Sequence, residues 1–357
     1  MQFNRLANCK AFCIYCTFTI LYINLCSPQI SNASTSHTEM SPGPSGSFLE
    51  RDYRIPVVRL ESSSTIYVAG DYVHWLQFGG LRRYYEVHVP PQYSRKVKMP
   101  LVLVIHGGGG NPGVMRYISR MNEVADEHGF IVIYPAGTGS YKDRLLYWNS
   151  GPVRKDERFR NVDDVGFISA VIDDAESFFT VDAQRIYATG ISNGGQMAYR
   201  LAAQLSTRIA AVAPVAGDRT IGQFWGPPPR PFPVIAFHGE HDTYLAYGGG
   251  GTPPHSGFEA VNRIPVMDTI KGWVSQAKGN PDKYELTKIG SATRYHFSPV
   301  SAEGEEIDFW VLADGGHTWP GGHKSKFEDR LNVGHINQDI FASELIWEFF
   351  KKHNLSH

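Results

Sequence analysis

Short apolar runs alternate with longer amphipathic stretches from about residue 80 to the C-terminus. The short runs are either apolar throughout or alternate between polar and apolar residues, as expected for strands covered on both faces or on one. The predicted strands are residues 82–90, 100–105, 130–134, 185–188, 209–215, 233–237 and 307–312. The predicted helices are residues 115–127, 165–179, 196–205, 261–277 and 340–352. This alternation predicts an α/β protein with a mostly parallel central sheet and helices on both faces.

One predicted strand, residues 185–188, leads into the sequence Gly-Ile-Ser-Asn-Gly at residues 190–194, and a predicted helix follows. In a G-x-S-x-G turn between a strand and a helix, the serine has a strained backbone that lifts its side chain off the sheet. The glycines allow the neighbouring backbone to approach closely. Ser192 is therefore the candidate nucleophile, although the short pattern also occurs by chance in other proteins.

A nucleophilic serine needs a histidine base, a carboxylate that orients the base, and N–H donors for the oxyanion. In this kind of fold the acid and then the histidine follow the serine, each at the end of a later strand. Asp242 lies just beyond the predicted strand 233–237 and is the predicted acid, whereas Glu240 is expected to lie within the turn. The alternative is metal ligation by this segment through His238, Glu240, His241 and Asp242, but the H-E-x-x-H spacing is missing.

The predicted base is His317, which follows the predicted strand 307–312 and has glycines on both sides. Glycines make such a loop mobile and open to close approach. His323 and His335 are better interpreted as ordinary surface histidines.

A glycine run at residues 107–110 follows the predicted strand 100–105 and is a candidate oxyanion loop. The N–H of Gly107 or Gly108, together with the N–H of Asn193, is predicted to bind the oxyanion. A phosphate-binding loop is the alternative for any glycine run, but the Lys-Ser/Thr that completes one is missing. His106 precedes the nucleophile in the chain, so it is interpreted as a buried hydrogen-bonding residue and not as the base.

Six motifs in this order resemble the esterase family of polyhydroxybutyrate depolymerases and feruloyl esterases. They are His-Gly-Gly-Gly at 106–109, Trp-Asn-Ser-Gly at 148–151, Val-Asp-Asp-Val-Gly-Phe at 162–167, Gly-Ile-Ser-Asn-Gly-Gly at 190–195, His-Gly-x-x-Asp at 238–242 and Gly-His-Thr-Trp-Pro-Gly-Gly at 316–322. The resemblance implies an α/β-hydrolase fold and secreted serine-esterase activity with Ser192, Asp242 and His317 as the triad. It implies no cofactor and no metal. Expected substrates are polyhydroxyalkanoate oligomers or hydroxycinnamoyl and acyl esters on polysaccharide.

One departure from the family concerns the segment after residues 148–151. Many members have a cysteine there, whereas this chain has Pro152 and Val153 followed by a charged stretch at residues 154–160. The shape of the site on that side is therefore left open by the resemblance.

Aromatic residues in the motif segments are candidates for substrate binding. Trp148, Trp319 and Tyr244 are predicted to form walls near Ser192, and Trp319 could instead cap the last loop of the domain. Asp163 and Asp164 open the predicted helix 165–179, so their expected role is helix capping or support of the site.

The N-terminal segment differs in composition from the rest of the chain. Arg5 and Lys10 precede a mostly apolar run at residues 11–25, which predicts a signal peptide over residues 1–33; an uncleaved membrane anchor is the alternative. All 4 cysteines lie in this segment, where apolar neighbours argue against zinc binding. Residues 34–52 are predicted to form a flexible linker, and residues 53–357 the catalytic domain.

The charge balance narrows the class of partner. A formal net charge of -1 without long runs of one sign gives no electrostatic case for nucleic acid or for an anionic membrane surface. The sequence thus predicts a small or polymeric ester as substrate, with no stable membrane partner beyond the possible anchor. The alternatives are a serine peptidase of the same fold and a non-catalytic carbohydrate-binding or adhesion protein on a hydrolase frame.

Overall fold

A ten-stranded sheet forms the centre of the fold. The structure is a computed structural model that describes residues 67–139, 144–151, 161–218, 226–251 and 262–355, except for the side chain of residue 327. The predicted signal segment, the linker and the start of the catalytic domain at residue 53 lie outside these residues and stay predictions.

The strands occupy the positions that the apolar runs predict, with additional strands at both ends of the sheet. They are β1 Gly70–Phe78, β2 Leu81–Val89, β3 Met99–Ile105, β4 Ile131–Pro135, β5 Val181–Ile191, β6 Ala211–Val215, β7 Val234–Gly239, β8 Gly250–Gly251, β9 Asn262–Arg263, β10 Glu285–Ile289, β11 Ala292–Phe297 and β12 Ile307–Leu312. The order across the large sheet is β1-β2-β4-β3-β5-β6-β7-β12-β11-β10, and β8 pairs with β9 separately. From β4 to β12 in this order the strands are parallel. Antiparallel strands extend both edges.

Helices cover both faces of this sheet. They are α1 Pro112–Ser119, α2 Met121–His128, α3 Asp164–Phe178, α4 Asn193–Gln204, α5 Val266–Gln276, α6 Lys326–Leu331 and α7 Ala342–Phe350. Side chains alternate along β3, so that Leu103 packs in the same cluster as residues of α3, α4 and α5. Its neighbour Val104 packs with residues of α1, α2 and α7. The prediction of a mostly parallel sheet with helices on both faces is confirmed.

Two predicted helices were wrong in detail. The helix predicted at 115–127 is two helices, because Arg120 adopts a left-handed conformation with φ 56° and ends α1. The helix predicted at 261–277 begins only at Val266, directly after Pro265, while Asn262–Arg263 form the short strand β9. Proline restricts the residue before it to extended conformations, so the helix begins only after Pro265.

The edge strands β1, β10 and β11 and the helix α6 were not predicted. Every residue of β10 is exposed, so its sequence has no apolar pattern to detect. In the described parts of the chain, no helix combines the length and the apolar character that crossing a membrane requires.

Candidate active site

Ser192 lies at the turn between β5 and α4, at the carboxyl end of a central strand. Its backbone has φ 58° and ψ -122°, a conformation that L-residues rarely adopt. The Ser192 N–H donates to Val215 O at 3.0 Å, which ties the turn to the next strand, β6. The side chain of Ser192 is half-buried and lines a cavity.

Glycines flank this turn because neighbouring backbone leaves no room for a side chain at either position. A Cβ on Gly190 would lie 2.6 Å from Ile105 O, and a Cβ on Gly194 would lie 2.2 Å from the same atom. Both distances are far below any van der Waals contact, so a side chain at either position would push α4 and β5 away from β3. The G-x-S-x-G pattern is therefore explained by packing at this crossing.

Asn193, Gly107 and Gly108 are the residues near Ser192 that could donate backbone N–H groups to an oxyanion. Asn193 is the first residue of α4, where a backbone N–H has no partner within the helix. Gly107 approaches Ser192 closely: a Cβ built on it would lie 3.4 Å from Ser192 Cβ. At Gly108 an added Cβ would lie 3.1 Å from the ring of Tyr147. These residues can supply the donors that an oxyanion needs.

The side chain of Asn193 fixes the segment 148–150 beside the start of α4. Asn193 Oδ1 accepts from the Trp148 N–H at 2.8 Å, and Asn193 Nδ2 donates to Trp148 O at 3.2 Å and Ser150 Oγ at 2.7 Å. Asp164 holds the same segment from the other side, because its Oδ2 accepts from the Asn149 N–H at 2.7 Å.

Asp164 also forms a buried ion pair with Arg83, whose guanidinium lies 2.7 Å from Asp164 Oδ1. The guanidinium stacks over Phe167 at 3.5 Å. The two aspartates thus have different roles. Asp163 caps α3 by accepting from the Gly166 N–H at 2.8 Å, whereas Asp164 supports the site.

His317 and Asp242 form a hydrogen-bonded pair at the carboxyl ends of β12 and β7. His317 Nδ1 lies 2.7 Å from Asp242 Oδ2, and both side chains are buried. Asp242 Oδ1 accepts from the N–H groups of Tyr244 and Leu245, each at 2.8 Å. Burial alone would raise the pKa of Asp242, but His317, His238 and the Leu245 N–H together outweigh burial and leave the pKa below its usual value. Asp242 is therefore ionised and oriented toward the imidazole.

Backbone contacts hold the His317 loop. The His317 N–H donates to Val333 O at 2.7 Å, and the Gly316 N–H donates to His335 O at 2.9 Å. Tyr244 stacks on the imidazole with ring centroids 5.2 Å apart. These contacts fix one orientation of the ring.

Ser192 and His317 line the same cavity of about 100 Å³, together with both candidate oxyanion glycines, Gly107 and Gly108. The remaining walls are mainly apolar and come from α1 and the segment around α6. They include Val114, Met115, Ile118, Leu331 and Val333. The cavity suits an apolar group attached to a carbonyl carbon.

Of the three aromatic residues predicted to form walls of the site, two are buried away from the cavity and one lines it. Trp148 and Trp319 are each 1% exposed and do not line the cavity. Trp148 Nε1 donates to His106 O at 3.0 Å, and Trp319 Nε1 donates to Ser343 Oγ at 3.1 Å. Because neither ring leaves a face open to a ligand, the expectation that these two tryptophans bind substrate is corrected: they support the loops from behind. Tyr244, in contrast, lines the cavity.

The four side chains of the alternative metal site do not converge on one point in the described part of the chain. Glu240 and His241 are exposed. His238 is buried, and its Nε2 donates to Leu245 O at 2.7 Å and lies 3.4 Å from Asp242 Oδ2. His238 was missed as a support for Asp242, and the H-G-x-x-D spacing is the signal that could have identified it. His323 and His335 are exposed, as expected.

Sequence reasoning also missed a chain of hydrogen-bonded polar side chains that includes Gln196 of α4. Ser150 Oγ donates to Gln196 Oε1 at 3.1 Å, and Gln196 Nε2 donates to Asp218 Oδ1 at 2.7 Å. Arg263 donates to both oxygens of Asp218 at 2.7 and 2.6 Å. Its members come from distant parts of the sequence, so no local pattern marks them.

His106 is a structural histidine, as predicted. It is 1% exposed, its Nδ1 donates to Gly107 O at 2.8 Å, and its Nε2 accepts from the Gly137 N–H at 3.0 Å. This pattern requires the neutral ring with the proton on Nδ1. Burial lowers the pKa of His106 from 6.5 to about 4.

A pH dependence of stability follows from this burial. Between about pH 6.5 and pH 4 the unfolded chain binds a proton at His106 that the folded protein excludes, so stability falls as the pH drops through this range. We expect His106 to contribute a loss of about 3 kcal/mol in the free energy of unfolding. Urea unfolding at pH 7 and pH 4.5 measures this loss of stability.

His106→Gln should remove this part of the pH dependence, whereas the exposed-residue control His323→Gln should retain it. An equal pH dependence in wild type and His106→Gln would contradict the interpretation.

Comparison with known families and proteins adds independent evidence. The family model described as esterase PHB depolymerase matches residues 83–222. This range contains the candidate oxyanion loop and Ser192, while Asp242 and His317 follow it. NocK of Nocardia uniformis subsp. tsuyamanensis, which is named as an esterase, is 30% identical over 255 residues, covering 68% of this chain and 72% of NocK.

Feruloyl esterase B of Piromyces equi is 33% identical over 234 residues, or 65% of this chain, but the match spans only 42% of that longer protein. Among solved structures, the acetyl xylan esterase of Aspergillus awamori has a TM-score of 0.50 at 15% identity, over 69% of this chain and 94% of that chain. At this identity the likeness concerns the fold, and it confirms the α/β-hydrolase architecture.

Proposed function

The chain belongs to the polyhydroxybutyrate depolymerase family of esterases, and from this we propose that it hydrolyses carboxylic esters through an acyl-enzyme on Ser192. The observation that carries the proposal is the His317–Asp242 pair at 2.7 Å, which borders the same cavity as the strained Ser192. A serine, a buried carboxylate and a histidine in this chain order form the machinery of acyl transfer.

In the acylation step, Ser192 Oγ attacks the ester carbonyl carbon and its proton passes to His317 Nε2. The carbonyl electron pair moves onto oxygen, where the N–H groups of Asn193 and of Gly107 or Gly108 stabilise the charge. The tetrahedral intermediate then expels the alcohol, which takes the proton from His317. Asp242 keeps the proton of the neutral ring on Nδ1 and stabilises the imidazolium that forms.

In the second step, water replaces the alcohol. His317 takes a proton from the water as it attacks the acyl-enzyme, and the collapse of the second intermediate releases the carboxylic acid and returns the proton to Ser192. Every bond change is accounted for by the chain's own residues and one water molecule.

The side chains that line the cavity favour substrates with a short aliphatic acyl group over substrates with an aromatic one. Valine, methionine, isoleucine and leucine side chains line it, and Trp148 and Trp319 are shielded from it. Stacking on a hydroxycinnamoyl ring would depend on Tyr244, which already packs on His317. We therefore propose that aliphatic acyl esters, including those of polymers, are the better substrates.

A panel of esters tests this proposal. The purified protein should release p-nitrophenol from p-nitrophenyl acetate and butyrate, and product from a 3-hydroxybutyrate oligomer, with higher kcat/KM than for feruloylated xylan. Preference for the feruloylated substrate would contradict the proposed acyl class. If the folded protein turned over no ester at all, the enzymatic proposal itself would fail and a binding role would be favoured.

We further propose that the protein is exported. The support is the apolar run at residues 11–25 preceded by Arg5 and Lys10. Sequencing the N-terminus of the protein recovered from the culture medium or periplasm tests the proposal, and a cell-retained chain that still begins at Met1 would contradict it.

A further inference from the structure

One acidic residue lines the cavity together with Ser192 and His317 and has no part in the mechanism above. Glu328, on α6, lines the same space as Ser192 and His317 and is only 6% exposed. Most other side chains of the wall are apolar. A buried carboxyl in such a setting requires hydrogen-bond partners.

One oxygen of the Glu328 carboxylate already accepts hydrogen bonds from Ser325, at the start of its own helix. Oε2 accepts from the Ser325 N–H at 2.9 Å and the Ser325 Oγ–H at 2.8 Å. In return, the Glu328 N–H donates to Ser325 Oγ at 3.1 Å, which completes a capping box. These bonds hold the side chain in one position. Among the described residues, no hydrogen bond reaches Oε1.

Burial raises the pKa of Glu328 above its usual value, while the hydrogen bonds from Ser325 act in the opposite direction. The carboxylate thus keeps one acceptor oxygen, Oε1, for a further donor. A ligand that brings a donor to Oε1 gains a strong hydrogen bond, because bonds to charged groups exceed neutral ones.

The available geometry favours a hydroxyl donor over an ammonium group. Burying an ammonium ion is costly unless a fully available carboxylate and further acceptors surround it. Here one of the two carboxylate oxygens already holds two donors. A hydroxyl needs only one acceptor oxygen and carries no charge to desolvate.

We propose that Glu328 is a specificity-determining residue that accepts a hydrogen bond from a hydroxyl group on the acyl chain of the substrate. The inference rests on the proposed esterase function, since the acyl chain is the part that stays bonded to Ser192 inside the cavity. It adds a polar contact to an otherwise aliphatic acyl pocket.

The test compares two esters that differ by one hydroxyl group, p-nitrophenyl 3-hydroxybutyrate and p-nitrophenyl butyrate. The ratio of their kcat/KM values should favour the hydroxylated ester in the wild type. In Glu328→Met, which keeps the length of the side chain but removes the acceptor, this ratio should fall about tenfold. In Glu328→Gln, which preserves the capping box, it should fall by a smaller factor, and this variant serves if the methionine variant does not fold.

The matched control is Asp329→Asn, at the exposed residue next to Glu328 on α6, which leaves Glu328 and its hydrogen bonds from Ser325 in place. Its ratio should stay close to that of the wild type. Equal ratios in the wild type and both Glu328 variants would overturn the proposal, and so would an Asp329→Asn variant that reproduces the full loss. Absence of turnover on both esters by the wild type would instead refute the esterase function itself, so the two failures are distinguishable.

Discussion

Ser192→Ala is expected to lower kcat for ester hydrolysis by about a million-fold, the scale of loss when a triad nucleophile is removed. Alanine has no atom that can form the acyl bond, so only the oxyanion donors and binding remain. The fold should persist, because alanine keeps the Cβ and therefore has the same backbone strain as serine at φ 58°. Steady-state kinetics on p-nitrophenyl butyrate measure the loss, and circular dichroism and a thermal melt check the fold.

The control for this experiment is Ser177→Ala. Ser177 is an exposed serine on α3 whose hydroxyl donates to Asp174 O at 2.6 Å. The activity of the Ser177→Ala variant should match that of the wild type. Retention of wild-type turnover in Ser192→Ala would exclude the acyl-enzyme mechanism.

Asp242→Asn is expected to reduce kcat by about ten-thousand-fold. The hydrogen bonds around Asp242 give the reason. Its Oδ1 accepts from two backbone N–H groups, so the carbonyl oxygen of an asparagine would take that place. The NH2 group would then face His317 Nδ1 and force the proton onto Nε2, where the ring can no longer accept the proton of Ser192.

Glu240→Gln is the matched control, since Glu240 lies two residues away in the same turn but is exposed. The Glu240→Gln variant should keep a kcat close to that of the wild type. If Glu240→Gln caused the large loss and Asp242→Asn did not, the assignment of the acid would be wrong.

The central part of the fold could be predicted because its strands are buried on both faces. Such strands, β3 for example, are apolar at every position, and they stand out from the chain without knowledge of their neighbours. The turn at Ser192 could be predicted for a related reason: the backbone contacts of Gly190 and Gly194 leave a local pattern in the sequence.

The remaining features depend on contacts between distant residues. The break at Arg120 lies within a continuous amphipathic pattern and becomes visible only from its left-handed backbone. Trp319 was predicted at the site from its place near His317 in the sequence, but its indole points into the core against α7. Glu328 lies in an S-x-x-E capping box, and this pattern could have predicted α6 but not that Glu328 lines the cavity.

The backbone of Ser192 has a further consequence, for the evolution of stability. A non-glycine residue at φ 58° and ψ -122° costs on the order of 1–3 kcal/mol. Glycine would relieve that strain but would also remove the hydroxyl group, so the substitution that best suits the local backbone is one that the proposed chemistry excludes. Stabilising changes that preserve activity must therefore accumulate elsewhere, and a random library of this chain selected for thermal resistance alone should enrich inactive variants at position 192.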